Sequence, residues 1–251
     1  MLETTPTERF SSRVGNYSRF RPSYPAEVLD ILKQECGLAS DSTIADIASG
    51  TGIFTRMLLK NGNRVYGIEP NDAMRQAGHE NLANYSKFTS IAGTAENTGL
   101  ANASVDLVTA AQAAHWFDRD KAIAEFRRIL KAGGYLALVW NDRRIHGTQF
   151  SEDYEDLLLK YGTDYAEVKR RDNAAQDFFG EIRHQKRVLR NFQDFDYAAL
   201  EGRLLSSSYT PATGHPRHQA MLAELQQIFD RHQQGGAVRM EYDTNLYFGQ
   251  L

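Results

Sequence analysis

The chain has 251 residues, with 29 Lys and Arg against 32 Asp and Glu, a formal net charge of −3 and a single cysteine, Cys36. Interspersed, nearly balanced charge gives no basic footprint for nucleic acid or an anionic membrane, and one cysteine excludes a disulfide framework or a cysteine-rich metal site. The length admits one large α/β domain or two small ones, and the hydrophobic share, 41%, suffices for a full core.

In chain order, Met1 to Phe10 is polar and charged and lacks the apolar stretch of a signal peptide. No segment approaches the length of a membrane span, so a cytoplasmic protein is expected. Residues 1–24 are rich in arginine and aromatics without clean periodicity. A helix is expected from Pro25 to about Gln34, with Cys36 on its apolar side as core. From Thr43 to Trp140, apolar strand-like runs at 43–48, 64–68, 87–92, 105–111 and 134–140 alternate with helical patterns at 53–61, 71–83 and 118–130. Asn71-Asp72 and Asp118-Arg-Asp-Lys121 look like helix starts, and Lys131-Ala-Gly-Gly134 looks like a helix end. This alternation implies βαβ units and a parallel sheet covered on both faces. Residues 141–180 read as a helical insertion, with Tyr154, Leu157, Leu158 and Tyr161 at helical spacing. Beyond it a strand is expected near 184–192, helices near 196–206 and 215–234, and a terminal strand in which Val238, Met240, Tyr242, Thr244, Leu246 and Phe248 share one half-buried face. The basic run Arg183 to Arg190 reads as the solvated face of a strand, and His215, His218 and His232 do not make a metal set.

The segment richest in chemical information is Thr43-Ile-Ala-Asp-Ile-Ala-Ser-Gly-Thr-Gly-Ile-Phe-Thr55, a buried strand running through a glycine turn into a helix. Such a turn presents backbone N–H groups and the positive end of a helix to a ligand. A dinucleotide site would place a third glycine where Thr55 stands. Asp46, four residues before Gly50, would repel a pyrophosphate but would suit a ligand bearing an ammonium and a sulfonium. The pattern D-x-x-x-G-x-G therefore favours S-adenosylmethionine over NAD. Seventeen residues after Gly52, Glu69 ends the second strand, where a carboxylate can accept both ribose hydroxyls. Gly93-Thr-Ala-Glu96 follows the third strand, with the backbone N–H of Ala95 available to an adenine edge. The fourth strand leads through Gln112 and Ala113 to His115 and Trp116, which face the expected reaction space.

The runs D-I-A-S-G-T-G, V-Y-G-I-E-P, V-D-L-V-T-A-A-Q-A-A-H-W-F-D and L-K-A-G-G-Y-L-A-L-V-W-N resemble the class I S-adenosylmethionine-dependent methyltransferases (the methyltransferase type 11 domain), most closely the small-molecule group that includes trans-aconitate methyltransferases. Tyr17-Ser-Arg-Phe-Arg-Pro-Ser-Tyr-Pro25 resembles that group's N-terminal lid. The closing S-S-S-Y-T-P-A-T-G-H-P and Y-D-T-N-L-Y-F-G resemble its C-terminal part. The resemblance implies an α/β, Rossmann-like sheet of seven strands, six parallel and the last antiparallel, with helices on both faces. It implies one domain over 1–251: lid 1–24, cofactor core 25–140, insertion 141–180, and C-terminal strands and helices 181–251.

It further implies that Asp46, Gly50 and Gly52 cradle the methionyl part of the cofactor and that Glu69, with Pro70 beside it, takes the ribose. Ala95 binds adenine through its backbone, with Thr94 and Glu96 as alternatives for its amino group. Gln112 and Ala113 line the sulfonium side, and Tyr17 and Arg21 close over the amino-acid end. Ala48 stands where many members have glycine, tolerable if its φ is negative. His115 is the candidate base and Tyr24, Trp116 and Asn141 are candidate substrate contacts, Trp116 favoured as packing. The expected activity is methyl transfer to a small molecule, on oxygen, leaving S-adenosylhomocysteine, by a monomer or homodimer without nucleic-acid or membrane partners and without a metal. The rival readings are a non-catalytic cofactor-binding protein and an RNA methyltransferase.

Overall fold

The computed structural model describes residues 14–166 and 174–251. The first part of the expected lid, residues 1–13, lies outside the described residues, as does part of the insertion. Among the described residues, no helix is long and apolar enough to cross a membrane, and no group of three or more His, Cys, Asp or Glu could hold a metal ion.

Helix α1 (Val14–Phe20) and α2 (Glu27–Cys36) precede the alternating core: β1 (Thr43–Ile47), α3 (Ile53–Lys60), β2 (Arg64–Ile68), α4 (Asp72–Asn81), β3 (Phe88–Ile91), β4 (Val105–Ala111), a 3₁₀ turn (Ala114–Trp116), α5 (Arg119–Ile129) and β5 (Leu130–Arg143). After these come α6 (Gln149–Tyr161), α7 (Ala174–Phe179), β6 (Gln185–Phe195), α8 (Tyr197–Leu205), α9 (His218–His232) and β7 (Val238–Gln250). The seven strands make one sheet in the order β3-β2-β1-β4-β5-β7-β6. β1 to β5 pair in parallel, and β7 runs antiparallel to both β5 and β6. Six strands thus share one direction and the last in sequence opposes them, as expected. Strand order reverses between β1 and β4, and the carboxyl ends of these strands form the crevice where open α/β sheets hold ligands.

The helix starts follow from capping. Asn71 Oδ1 accepts from the Met74 N–H at 2.9 Å and Asp118 Oδ1 from the Lys121 N–H at 3.4 Å, satisfying donors that have no partner inside the helix. Ile44, Leu58, Val65 and Leu246 pack on one face of the sheet and Val108, Phe126, Ile129 and Leu138 on the other. A third cluster, including Tyr154, Leu157, Leu200, Leu225 and Tyr242, ties α6, α8 and α9 to the start of β7.

Three expectations change. β5 is longer than 134–140 at both ends. α5 passes directly into it, the register shifts between Val105 and Leu107, and Asn141, Asp142 and Arg143 remain paired with Thr244, Asp243 and Tyr242 of the long β7. The run 131–134 is therefore an irregular strand entry, and the helical insertion starts only at Gln149. β7 is buried on both faces from Thr244 to Phe248 because it lies inside the sheet rather than at its edge. Cys36 is half-buried at the end of α2, with its thiol pushed up to about 12 chiefly by burial. The basic run falls largely on the edge strand β6, whose residues alternate between exposed and half-buried, as expected.

Candidate active site

The β1–α3 turn sets the geometry. Ala48, Gly50 and Gly52 all have positive φ, at 51°, 56° and 84°. Gly52 caps α3 in this left-handed conformation, and a Cβ there would lie 2.6 Å from Leu82 Cδ1, so both strain and contact require glycine. Ala48 departs from the expectation of a negative φ. It holds a conformation costly for an L-residue, as does Gln112 (φ 59°) at the end of β4. Two strained non-glycine residues thus border both cavities of the crevice.

Asp46 ends β1 with its carboxylate 1% exposed. Thr55 Oγ1 donates to Oδ2 at 2.5 Å and Thr109 Oγ1 to Oδ1 at 2.8 Å. Burial pushes its carboxyl up to about 6, against the pull of those two bonds, and the nearby Glu69 adds to the rise. Glu69 is held in mirror fashion: the Gly50 N–H donates to Oε2 at 2.9 Å and the Asn71 N–H to Oε1 at 2.9 Å. Burial raises its carboxyl too. Among the described residues neither acid makes an ion pair, so both remain available to a ligand's donors and cations.

Two adjoining cavities open over the strand ends. The smaller, of about 280 Å³, is lined by Glu69, Pro70, Asn71, Met74, Thr94, Ala95, Glu96, Ala113 and Phe117. The larger, of about 440 Å³, is lined by residues including Arg21, Tyr24, Asp46, Thr51, His115, Trp140 and Asn141. Tyr17, Ala48, Gly50, Ala111, Gln112 and Trp116 border both. Every residue expected in the site lines one of these cavities except Gly52, which shapes the turn from behind. Glu96 Oε1 is engaged by the Asp118 N–H at 2.9 Å, and Thr94 Oγ1 accepts from the Asn97 N–H at 3.2 Å. His115 lies against Trp116 and Trp140, with ring centroids 4.5 and 5.3 Å away.

Residues 45–138 match a family model described as a methyltransferase domain. An uncharacterized methyltransferase of Mycobacterium tuberculosis is 41% identical over 138 residues, covering 53% of this chain and 52% of that protein. An uncharacterized methyltransferase-like protein of Schizosaccharomyces pombe is 33% identical over 144 residues, covering 57% and 55%. Over residues 45–138 the chain is therefore similar to a methyltransferase domain. It spans about half the length of the curated relatives it matches. In fold it is similar to a provisionally named type II methyltransferase from Anaeromyxobacter dehalogenans, with a TM-score of 0.70 and 24% identity over 92% of this chain and 98% of that one.

The residues lining the two cavities fit S-adenosylmethionine. A buried carboxylate at Asp46, a second held by backbone N–H groups at Glu69, and a buried Arg21 Nε without a hydrogen-bond partner offer groups for ammonium, ribose and carboxylate. Arg21 lies at the end of α1, where its Nη2 donates to the Ser206 carbonyl at 3.1 Å and its side chain lies over the Tyr17 ring.

Aromatic residues of the expected lid have packing partners in the structure: Tyr24 meets Phe54 edge-on at 5.0 Å, and Phe20 packs so closely on Gly202 of α8 that a Cβ there would collide with its ring. Asn141, expected as a substrate contact, is occupied structurally. Its Nδ2 donates to the Ser23 carbonyl at 3.2 Å, and its Oδ1 accepts from Thr244 and from Asn191. It fastens the segment after α1 to the sheet while still lining the cavity.

Sequence reasoning missed the far wall of the larger cavity, where Arg143, Tyr165, Arg203 and Tyr209 converge. One signal was available: Arg203 lies beside Leu200 and Leu204 on the buried stripe of α8, a position where an arginine calls for an explanation.

Proposed function

We propose that this protein transfers a methyl group from S-adenosylmethionine to the oxygen of a small-molecule acceptor. The observation that carries this reading is the pair of adjoining cavities meeting at Gly50, Gln112 and Trp116, one walled by Glu69 and Ala95 and the other by Asp46, Arg21 and His115. The smaller suits adenosine; the larger suits the amino-acid end together with an acceptor.

When bound, the cofactor supplies a methyl group on a cationic sulfur, already activated for displacement. Asp46 and Arg21 hold its ammonium and carboxylate, and Glu69 its ribose. Trp116 and Gln112 would orient an acceptor oxygen toward that methyl group, and such orientation is worth roughly 7–11 kcal/mol. His115 would take the proton of an accepting hydroxyl on its imidazole, a contribution of about 10²–10⁴-fold. The aromatic wall of Trp116 and Trp140 keeps bulk water from the transfer site.

The test is S-adenosylhomocysteine formation by the full chain over a panel of small hydroxy compounds, acids and amines, with an RNA pool alongside. Product from a small oxygen acceptor supports the reading. Cofactor binding with no product across the panel would favour a non-catalytic binding protein, and product only from RNA would favour an RNA methyltransferase.

A further inference from the structure

Among the described residues the sheet ends in an edge whose outer side has no ladder partner. Strand β6 is the last in the order β3-β2-β1-β4-β5-β7-β6, and it pairs with β7 over Gln185–Phe195 without a break in register. The run contains no proline, glycine or bulge, devices that commonly blunt an edge. Its side chains alternate between two faces. On one face Arg187 Nη2 donates to Glu35 at 2.9 Å, Asn191 Nδ2 to the Ser23 carbonyl at 2.7 Å and Gln193 Nε2 to the Phe20 carbonyl at 3.4 Å, so this face is tied to α1, α2 and the segment between them. On the other, Lys186, Val188, Arg190, Phe192 and Asp194 are exposed. Val188 and Phe192, each 55% exposed, are two of the three exposed large apolar side chains among the described residues.

The backbone groups of the edge fall on the same residues. Glu241, opposite Phe192 in the β6–β7 pair, turns its carbonyl away from β6 to accept from the Arg144 N–H at 2.9 Å. Phe192 therefore points its own backbone outward, and its N–H is taken by the Asn191 side chain at 2.9 Å. Such groups alternate along an antiparallel ladder, so Lys186, Val188, Arg190, Phe192 and Asp194 all face outward. Along the edge these side chains run cation, apolar, cation, apolar, anion. Laid antiparallel on a second copy with Arg190 opposite Arg190, the strand sets Val188 against Phe192 and Lys186 against Asp194 on both sides of the centre. The two central guanidinium groups alone are alike, and each is already paired, Nη1 to Asp243 at 2.9 Å. Registers centred on Leu189 or Asn191 put a charge opposite Val188 and opposite Phe192. A register centred on Phe192 leaves Gln185 to Val188 beyond the end of the partner strand.

We propose that β6 pairs antiparallel with β6 of a second copy of this chain, about a two-fold axis normal to the sheet at Arg190, so that one sheet runs through both copies. A two-fold interface must be complementary to itself, and this run meets that condition along its whole length. Charge is the remaining device that guards an edge, and a guarding charge repels a like strand in every register; here the ends of the run attract. About ten backbone hydrogen bonds would close the ladder, two for each facing pair of outward residues. The bonds of Arg187, Asn191 and Gln193 to α1, α2 and the segment between them lie on the sheet's face and are kept. Because Asn191 also donates to Asn141 at 3.2 Å, the joined edge carries the anchor of a segment that walls the larger cavity.

The experiment is sedimentation equilibrium of the full chain at rising concentration, where the average mass should climb toward twice that of one copy. Lys186→Glu sets Glu against Asp194 in each facing pair, and Asp194→Lys sets Lys against Lys186. Each variant alone should weaken self-association by about tenfold or more, since like charges then lie directly opposite on both sides of the axis. Mixed together the two variants should associate again, because every facing pair is then of opposite charge. Both side chains are exposed, so circular dichroism of each variant should match the parent, and the parent's own concentration dependence tests the pairing without any substitution. A parent chain that keeps the mass of one copy throughout the micromolar range overturns the inference. So does association that both variants leave intact, or variants that stay apart when mixed. Association lost in Asp194→Lys but kept in Lys186→Glu overturns the register, since that pattern belongs to an edge centred on Phe192.

Discussion

Two walls of the site are built on opposite principles. The cofactor side is a backbone construction: left-handed turn residues, strand ends and N–H groups hold two buried carboxylates, Asp46 and Glu69, within one stretch of chain. The far wall of the larger cavity is a side-chain construction in which Arg143 of β5, Arg203 of α8, the helical Tyr165 and Tyr209 from a turn meet across more than sixty residues of sequence. One wall is acidic and rigid, the other basic and assembled from afar.

The largest effect is expected where the two walls meet. His115→Gln should lower kcat by about 10²–10⁴-fold while leaving cofactor affinity nearly unchanged, if the imidazole is the base. A loss below about tenfold, with an unaltered pH profile, would make His115 part of the aromatic wall with Trp116 and Trp140. Next comes the backbone turn. Gly52→Ala should cost about 2–4 kcal/mol of stability, combining left-handed strain with the collision against Leu82. A thermal melt as high as that of the parent chain would show that the turn relaxes freely, and the rigid-wall description would fail.

Legibility in the sequence divides along the same line. The alternation of strands and helices and the helix starts could be read because each depends on local patterns: a strand end, a turn glycine, a capping Asn71 or Asp118. The extension of β5 to Arg143 could not, because it depends on pairing with β7, about a hundred residues later. Asn141 shows the same limit. It stood as a candidate substrate contact, whereas its hydrogen bonds to Ser23, Thr244 and Asn191 are long-range contacts that no spacing announces. Phe20 found its partner in the bare backbone of Gly202, a site recognisable only once α1 and α8 are brought together.

A smaller effect sharpens the acidic wall. Glu69→Ala should weaken cofactor binding by about 1.5–3 kcal/mol, the scale of charge-assisted hydrogen bonds, measured by calorimetry. Unchanged affinity with unchanged circular dichroism would remove Glu69 from the ribose site. The smallest effect is a pH dependence. Because the Asp46 carboxyl is raised from its usual range to about 6, its contribution to the stability of the ligand-free fold is full at low pH and is lost as pH rises through about 6. Binding of a cationic ligand has the opposite sense, since it needs the ionised form. Cofactor affinity should therefore fall about tenfold from pH 7 to pH 5, with the raised carboxyl of Glu69 acting in the same direction. Asp46→Asn should bind weakly and lose most of that slope; an equally steep slope in this variant would assign the titration elsewhere.

The central claim, that the glycine turn beside Asp46 holds S-adenosylmethionine, is tested most directly by calorimetric titration of the full chain with S-adenosylmethionine and, in parallel, with NAD. The account predicts micromolar binding of S-adenosylmethionine and no comparable binding of NAD. Tighter binding of NAD would contradict it, because the buried carboxylate of Asp46 and the missing third glycine would then not have selected the ligand.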